Sequence, residues 1–272
     1  MDDTLKQIKE KATSGDAEAQ FGLGIMYYSG EEVSKNYKEA MKWYAKAAEQ
    51  GHLEAQLNLG IMYRCGEGGA KNYSEAYKWL FQVAMADIDE TEDINCFCGL
   101  SFTKQNAQFN LGEMYYLGDG VEQNYKEAFK WFTKSAEQKN EKALIALGNM
   151  YYYGDGIHRD YKKAFELFMK AAGHNYEENM GIQFILGVMY AEGQGVVQNY
   201  MEAYKWFLIV GMNAENVTVS FGATPEEIVE AKGFRQKEKV YRDKISERIT
   251  AGQIKDSQKR AKEFVESKSI PF

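Results

Sequence analysis

Residues 107–131 read AQFNLGEMYYLGDGVEQNYKEAFKW, and the spacing within this stretch recurs along the chain. Leu-Gly with Tyr three residues on stands at Leu23-Gly24…Tyr27, Leu59-Gly60…Tyr63, Leu111-Gly112…Tyr115, Leu147-Gly148…Tyr151 and Leu186-Gly187…Tyr190. The leucines are 36, 52, 36 and 39 residues apart. One 36-residue unit with two insertions accounts for all four steps, and a period of this size marks a solenoid.

Inside each unit two helical stripes can be read. Ala19, Leu23, Met26 and Tyr27 share one face of a first helix, and Ala40, Trp43, Ala47 and Ala48 share one face of a second. The register repeats through Ala107, Leu111, Met114 and Tyr115 followed by Ala128 and Trp131. Each unit is therefore a helical hairpin. The glycine after each leucine falls mid-helix, where it costs about 1 kcal/mol relative to alanine, so another helix is expected to cross there with no room for a Cβ. Gly-rich loops such as Gly118-Asp119-Gly120-Val121 end the first helix. Asn36, Asn72, Asn124, Asp160 and Asn199 are placed to cap the second, four of them with Glu three residues later, the pattern of a capping box.

No unit of this size buries its own apolar face, so the array is read as one solenoid domain over 1–272. Its parts are an N-terminal capping helix at 2–14 and repeats at 17–51, 53–86, 105–139, 141–175 and 180–214. A loop-like insertion is expected at 87–104, and a helical cap at 225–267, where Thr224-Pro225 marks a helix start. Val83 and Val210 replace the alanine or serine of other units just before the longer insertions, so the second helix is expected to continue differently there.

The combined pattern of alanine, Leu-Gly, Tyr, Gly-x-Gly-Val, Asn, alanine and Trp resembles the Sel-one-like repeat, a relative of the tetratricopeptide repeat, over about residues 2–214. The resemblance implies an all-α, right-handed superhelix of antiparallel helical hairpins, and a non-catalytic adaptor for protein complexes in bacterial signalling, bacterial contact with host cells or eukaryotic quality control. A secreted branch of the family carries paired cysteines in each hairpin. Here Cys65, Cys96 and Cys98 are odd in number and do not follow the repeat, which favours a reducing compartment.

A second apolar stripe runs beside the core stripe of the first helix. Its members are Phe21, Ile25 and Tyr28; Leu57, Ile61 and Arg64; Phe109, Glu113 and Tyr116; Ile145, Asn149 and Tyr152; and Phe184 and Val188. In the related tetratricopeptide superhelix this side lines the concave groove. Large apolar side chains left in water forgo roughly 1.5–3 kcal/mol each. The stripe is therefore covered by neighbouring helices or used by a protein or peptide ligand, with aromatic side chains supplying area and Arg64, Glu113 and Asn149 setting register.

Net charge is −7, from 33 basic and 40 acidic side chains, which argues against nucleic acid as partner. The start, Met1-Asp2-Asp3, lacks the order of a secretion signal, and no apolar run approaches the ~18 residues of a membrane span, so a cytoplasmic chain is expected, with export toward a host as a variant reading. No cofactor or metal is called for. Cys96-Phe97-Cys98 lacks metal-site spacing, the three histidines read as surface residues, and the repeated methionines read as packing. Ser101-Phe102-Thr103-Lys104 matches the Ser-x-x-Lys spacing of penicillin-recognising enzymes but has no Lys-Thr-Gly partner. A hydrolase through Ser101 and a structural oligomer stand as the alternatives to a binding scaffold.

Overall fold

The computed structural model describes residues 3–87, 94–172, 180–219 and 225–268. Among these there are thirteen helices and no strand. They are α1 (Asp3–Thr13), α2 (Ala17–Ser29), α3 (Tyr37–Glu49), α4 (Leu53–Cys65), α5 (Tyr73–Met85), α6 (Ile94–Leu117), α7 (Tyr125–Glu137), α8 (Glu141–Tyr153), α9 (Tyr161–Ala171), α10 (Met180–Glu192), α11 (Tyr200–Val219), α12 (Pro225–Ser246) and α13 (Ala251–Lys268). Contacts gather into two compact units, residues 1–143 and 144–272.

The turn between the helices of a hairpin follows from hydrogen bonds left over at helix ends. The last carbonyls of the first helix and the first N–H groups of the second lack intrahelical partners. One bond serves both sides. The cap residue's own amide donates to the carbonyl of the repeat tyrosine, in Asn36 to Tyr27 (2.7 Å), Asn72 to Tyr63 (2.8 Å), Asn124 to Tyr115 (2.8 Å), Asp160 to Tyr151 (2.9 Å) and Asn199 to Tyr190 (2.9 Å). The cap side chain then accepts from the amide three residues on, as in Glu39 to Asn36 (3.1 Å) and Glu75 to Asn72 (3.2 Å). This corrects the expected capping box in one respect. The glutamate has no cap amide left to accept from, because the tyrosine carbonyl has taken it, and it pairs instead with a lysine one turn on: Glu39 with Lys42 (3.4 Å), Glu127 with Lys130 (2.6 Å) and Glu202 with Lys205 (2.6 Å).

Each glycine that follows the repeat leucine meets a crossing side chain. A Cβ on Gly24 would lie 2.5 Å from the Tyr44 ring, on Gly60 2.8 Å from Leu80, on Gly112 2.5 Å from Phe132 and on Gly187 2.7 Å from Phe207; Gly148 faces Phe168 in the same way. The plug is the residue after the repeat tryptophan or its replacement, not that residue itself. Tyr44, Leu80, Phe132, Phe168 and Phe207 are buried, while Trp43, Trp79 and Leu167 are half-buried.

In the first unit, α1 seats Leu5 and Ala12 against Leu23, closing the exposed side of the first hairpin. Two further cores follow, one around Tyr44, Leu59 and Met62 and the other around Leu80, Leu111 and Met114. In the second unit one core runs through Phe168, Leu186, Met189, Trp206 and Phe207. There α11 continues for 20 residues, whereas α5 keeps the ordinary 13, so only Val210 marks a lengthened second helix. The helices α12 and α13 each pack chiefly on α11 rather than on one another: Phe264 of α13 meets the Trp206 ring edge-on at 5.4 Å, and Arg260 pairs with Glu202. The Thr224 cap lies outside the described residues; the helix starts at Pro225.

The expected loop at 87–104 is corrected over its second part. Residues 94–104 are helical and continue without a break into the first helix of the third repeat, giving α6 its 24 residues. Asp89, Glu90, Glu92 and Asp93 lie outside the described residues.

Candidate partner-binding site

The second stripe of the first helices runs through both units, and how far it is buried differs along the chain. In the first unit, Phe21 is half-buried between Tyr44 (ring centroids 5.8 Å apart) and His52 (4.4 Å). Ile25 is 40% exposed. Tyr28 packs on Tyr37 at 5.1 Å, and its phenol is pushed up to about 12, first by burial and then by its hydrogen bond to Glu67. Leu57 is buried and Ile61 half-buried in the core of the second and third repeats. Phe109 leans on Phe132 at 5.7 Å, and Tyr116 on Tyr125 at 5.1 Å and Phe132 at 6.4 Å.

Arg64, one of the residues expected to set register, reaches from α4 to α6. Its Nη1 donates to Glu113 Oε2 at 2.6 Å and to Asn110 Oδ1 at 2.9 Å, and its Nε lies 3.6 Å from Asp119 Oδ2. Arg64 and Glu113 are thus partners of each other. A half-buried arginine held by three acceptors is a rigid feature of this face, since its planar fork fits oxygen acceptors at fixed angles.

In the second unit the stripe is more enclosed. Ile145 and Val188 pack against the core, and Asn149 is half-buried. Tyr152 touches Tyr161 at 5.3 Å and Phe168 at 6.3 Å, donates its hydroxyl to Gln194 Oε1 at 3.1 Å, and has its phenol raised chiefly by burial. Phe184 lies against Phe207 (5.4 Å) and is covered by α12 through Phe234 (6.2 Å) and Tyr241 (5.3 Å). Here the chain supplies its own helix where the sequence reading left room for a ligand.

Two features escaped the sequence reading. His52 is not a surface histidine: its side chain is 12% exposed, its Nδ1 accepts from the Ala55 amide at 3.3 Å to cap α4, and Nε2 bonds Glu18 at 3.1 Å. His158 is exposed and His174 lies outside the described residues. The second is a buried amide three residues before the repeat leucine. Gln20, Gln108 and Gln183 pair with Gln50 (2.7 Å), Gln138 (2.6 Å) and Asn213 (2.8 Å), each thirty residues further on. That constant offset of polar residues was the available signal.

The Ser101 segment lies on α6. Thr103 is buried, and the Lys104 ammonium donates to the Ala86 carbonyl at 2.6 Å, where it caps the end of α5. Among the described residues no three His, Cys, Asp or Glu side chains gather to hold a metal, and no helix is long and apolar enough to cross a membrane.

Helical hairpins with a repeated packing stripe and a varied stripe beside it define a repeat scaffold. The Sel1 repeat pattern matches residues 17–52, 53–87, 105–140, 141–176 and 183–209, more than half of the sequence, and the chain belongs to the Sel1 repeat family. Proteins of this family are generally protein–protein interaction scaffolds and typically non-catalytic. A Sel1 repeat protein from Oxalobacter formigenes has a similar structure, with TM-score 0.60 at 24% identity over 86% of this chain and 99% of that one. In sequence, the chain is 54% identical over 39 residues to the sel1-like repeat-containing protein L18 of Acanthamoeba polyphaga mimivirus, covering 14% of this chain and 7% of that protein. It is 46% identical over 43 residues to the secretory immunoglobulin A-binding protein EsiB of Escherichia coli O6:H1, covering 16% and 9%. The chain spans less than a tenth of the length of these two curated relatives.

Proposed function

We propose that this protein is a non-catalytic scaffold that holds a peptide or helix of a partner protein on the first-helix stripe of residues 1–143. One contrast carries the reading. In the second unit Phe184 is covered by α12, whereas in the first unit Ile25 is 40% exposed and Phe102 61% exposed. Phe102 stands seven residues before Phe109, so the helical extension of α6 prolongs the stripe by two turns. Exposed aromatic and branched side chains on a stripe that also carries a fixed arginine suit an apolar anchor with a polar register mark.

The segment shared with EsiB is about one repeat long, so it supports the scaffold and says nothing of the ligand. A reducing compartment suits the reading, because three cysteines out of step with the repeat offer no disulfide framework.

Both exposed residues can be changed without opening the core. Ile25→Asp combined with Phe102→Asp is expected to keep the wild-type helicity and melting temperature and to lose a discrete set of proteins from affinity capture. Equal capture by the two forms sinks the proposal. Hydrolysis of a chromogenic β-lactam by wild type, abolished in Ser101→Ala, would reverse the order of the readings in favour of an enzyme.

A further inference from the structure

Where one repeat meets the next, a buried amide reaches back to a carbonyl of the preceding helix. Gln20 Nε2 donates to Ala12 O at 3.1 Å, Gln56 to Ala48 O at 3.0 Å and Gln108 to Ala84 O at 3.4 Å. Ala48 and Ala84 stand five residues after Trp43 and Trp79, and the residue five after Trp206 is Gly211 of α11. The side chain against Gly211 comes from α12 and is an acid: a Cβ on Gly211 would lie 2.7 Å from Glu238 Oε1. Glu238 is 3% exposed, and its Oε2 is buried with no hydrogen-bond partner. An acid and an amide of this length have the same shape, but only the protonated acid matches the amide in charge and in having a proton to give.

We infer that the seating of α12 on α10 and α11 is proton-linked through Glu238, which occupies the amide position of the repeat joint as a neutral acid and weakens the joint when it ionises. Its setting is consistent. Desolvation raises the carboxyl from 4.5 to about 7, against the pull of Arg242, Arg235 and Lys239 and with a small push from Asp243, all on α12. Arg242 Nε lies 3.4 Å from Oε2, and Arg235 is engaged with Glu215 of α11 at 3.7 Å. The α11 line that holds Gly211 presents the uncharged Tyr204 and Leu208 before it and, one turn after it, Glu215, the carboxylate paired with Arg235, and α10 presents Phe184.

The sign follows from the raised value. The seated state binds the proton more tightly than the released one, so the joint is strongest below about pH 4.5, weakens as pH rises toward 7, and levels off above it. Release would uncover Phe184 and Phe207, the rings that Tyr241 covers at 5.3 and 5.2 Å. Proton linkage at this joint holds whether or not the first unit takes a partner.

Hydrogen exchange of the full chain, read by mass spectrometry on peptides from 225–246 and corrected for intrinsic chemical exchange, tests it. Between pH 5.5 and 8.0 the protection of α12 is expected to fall by about 30-fold in wild type, the ratio set by carboxyl values of about 7 seated and 4.5 released. Glu238→Gln and Glu238→Leu carry no titrating group and are expected to show no such fall, while peptides from α2–α4 stay level in all three proteins. Flat protection in wild type, or the same fall in either variant, overturns the inference.

Discussion

At the scale of single residues, glycines inside the helices carry two opposite constraints that only geometry separates. Gly112 sits under the Phe132 ring, 2.5 Å from where a Cβ would be, while Gly22, in α2, has nothing within 4 Å. Gly112→Ala is therefore expected to lose about 1–3 kcal/mol through overpacking, and Gly22→Ala to gain up to about 1 kcal/mol from helix propensity, both read from urea unfolding. A second glycine does a different job. Gly68 abuts the Tyr37 carbonyl and Gly120 the Tyr73 side chain, each in the second helix of the preceding repeat, whereas the equivalent residue of the first loop, Glu32, adopts a positive φ of 60° as a non-glycine. Only the lone α1 precedes that loop, so no such tyrosine crowds it. The sequence showed which residues were glycine; which helix each one faced depended on contacts between elements.

At the scale of elements, the hairpin turn is the best-determined feature, because its partners are close in sequence and their chemistry is local. Asn72 shows the double use: its amide satisfies the Tyr63 carbonyl and its side chain the Glu75 amide. Asn72→Ala keeps the first bond and loses the second, so it is expected to cost about 1 kcal/mol, within the usual range for a lost cap, with the same midpoint shift by circular dichroism and by tryptophan fluorescence. A larger loss, or separate transitions by the two probes, would show that the side chain holds more than the helix start. The reciprocal glutamate was misjudged because the demand on the Asn72 amide came from the end of another helix. Equally, the start of α6 was hidden: Ile94–Lys104 lack the repeat pattern, and their helix is an extension of a periodic one.

At the scale of the molecule, buried and half-buried phenols are spread over both units and tie stability to alkaline pH. Tyr28, Tyr44 and Tyr77 are each pushed up to about 12 with burial as the first cause, and Tyr152 and Tyr190 are raised for the same reason. Their folded values exceed the ordinary 10, so the folded chain holds these protons more tightly than the unfolded one. That contribution is whole below pH 10 and is lost as pH climbs toward 12. Absorbance titration at 295 nm is expected to show a late class of tyrosines that merges with the early class when the chain is first unfolded in guanidinium. Tyr28→Phe and Tyr77→Phe should each remove one member of the late class.

The sequence alone determined the hairpin, its period, its caps and its packing stripe, because each rests on residues within one unit whose spacing matches helical geometry. The candidate stripe was equally visible as a pattern of side chains, yet its surroundings were not. Tertiary structure decided that Arg64 and Glu113 hold each other, that Phe184 lies beneath α12 while Ile25 and Phe102 stay open, and that the Glu238 carboxyl of α12 lies against Gly211. These outcomes depend on which helices pack together, and α12 lies outside the repeat, so no period in the chain could place it.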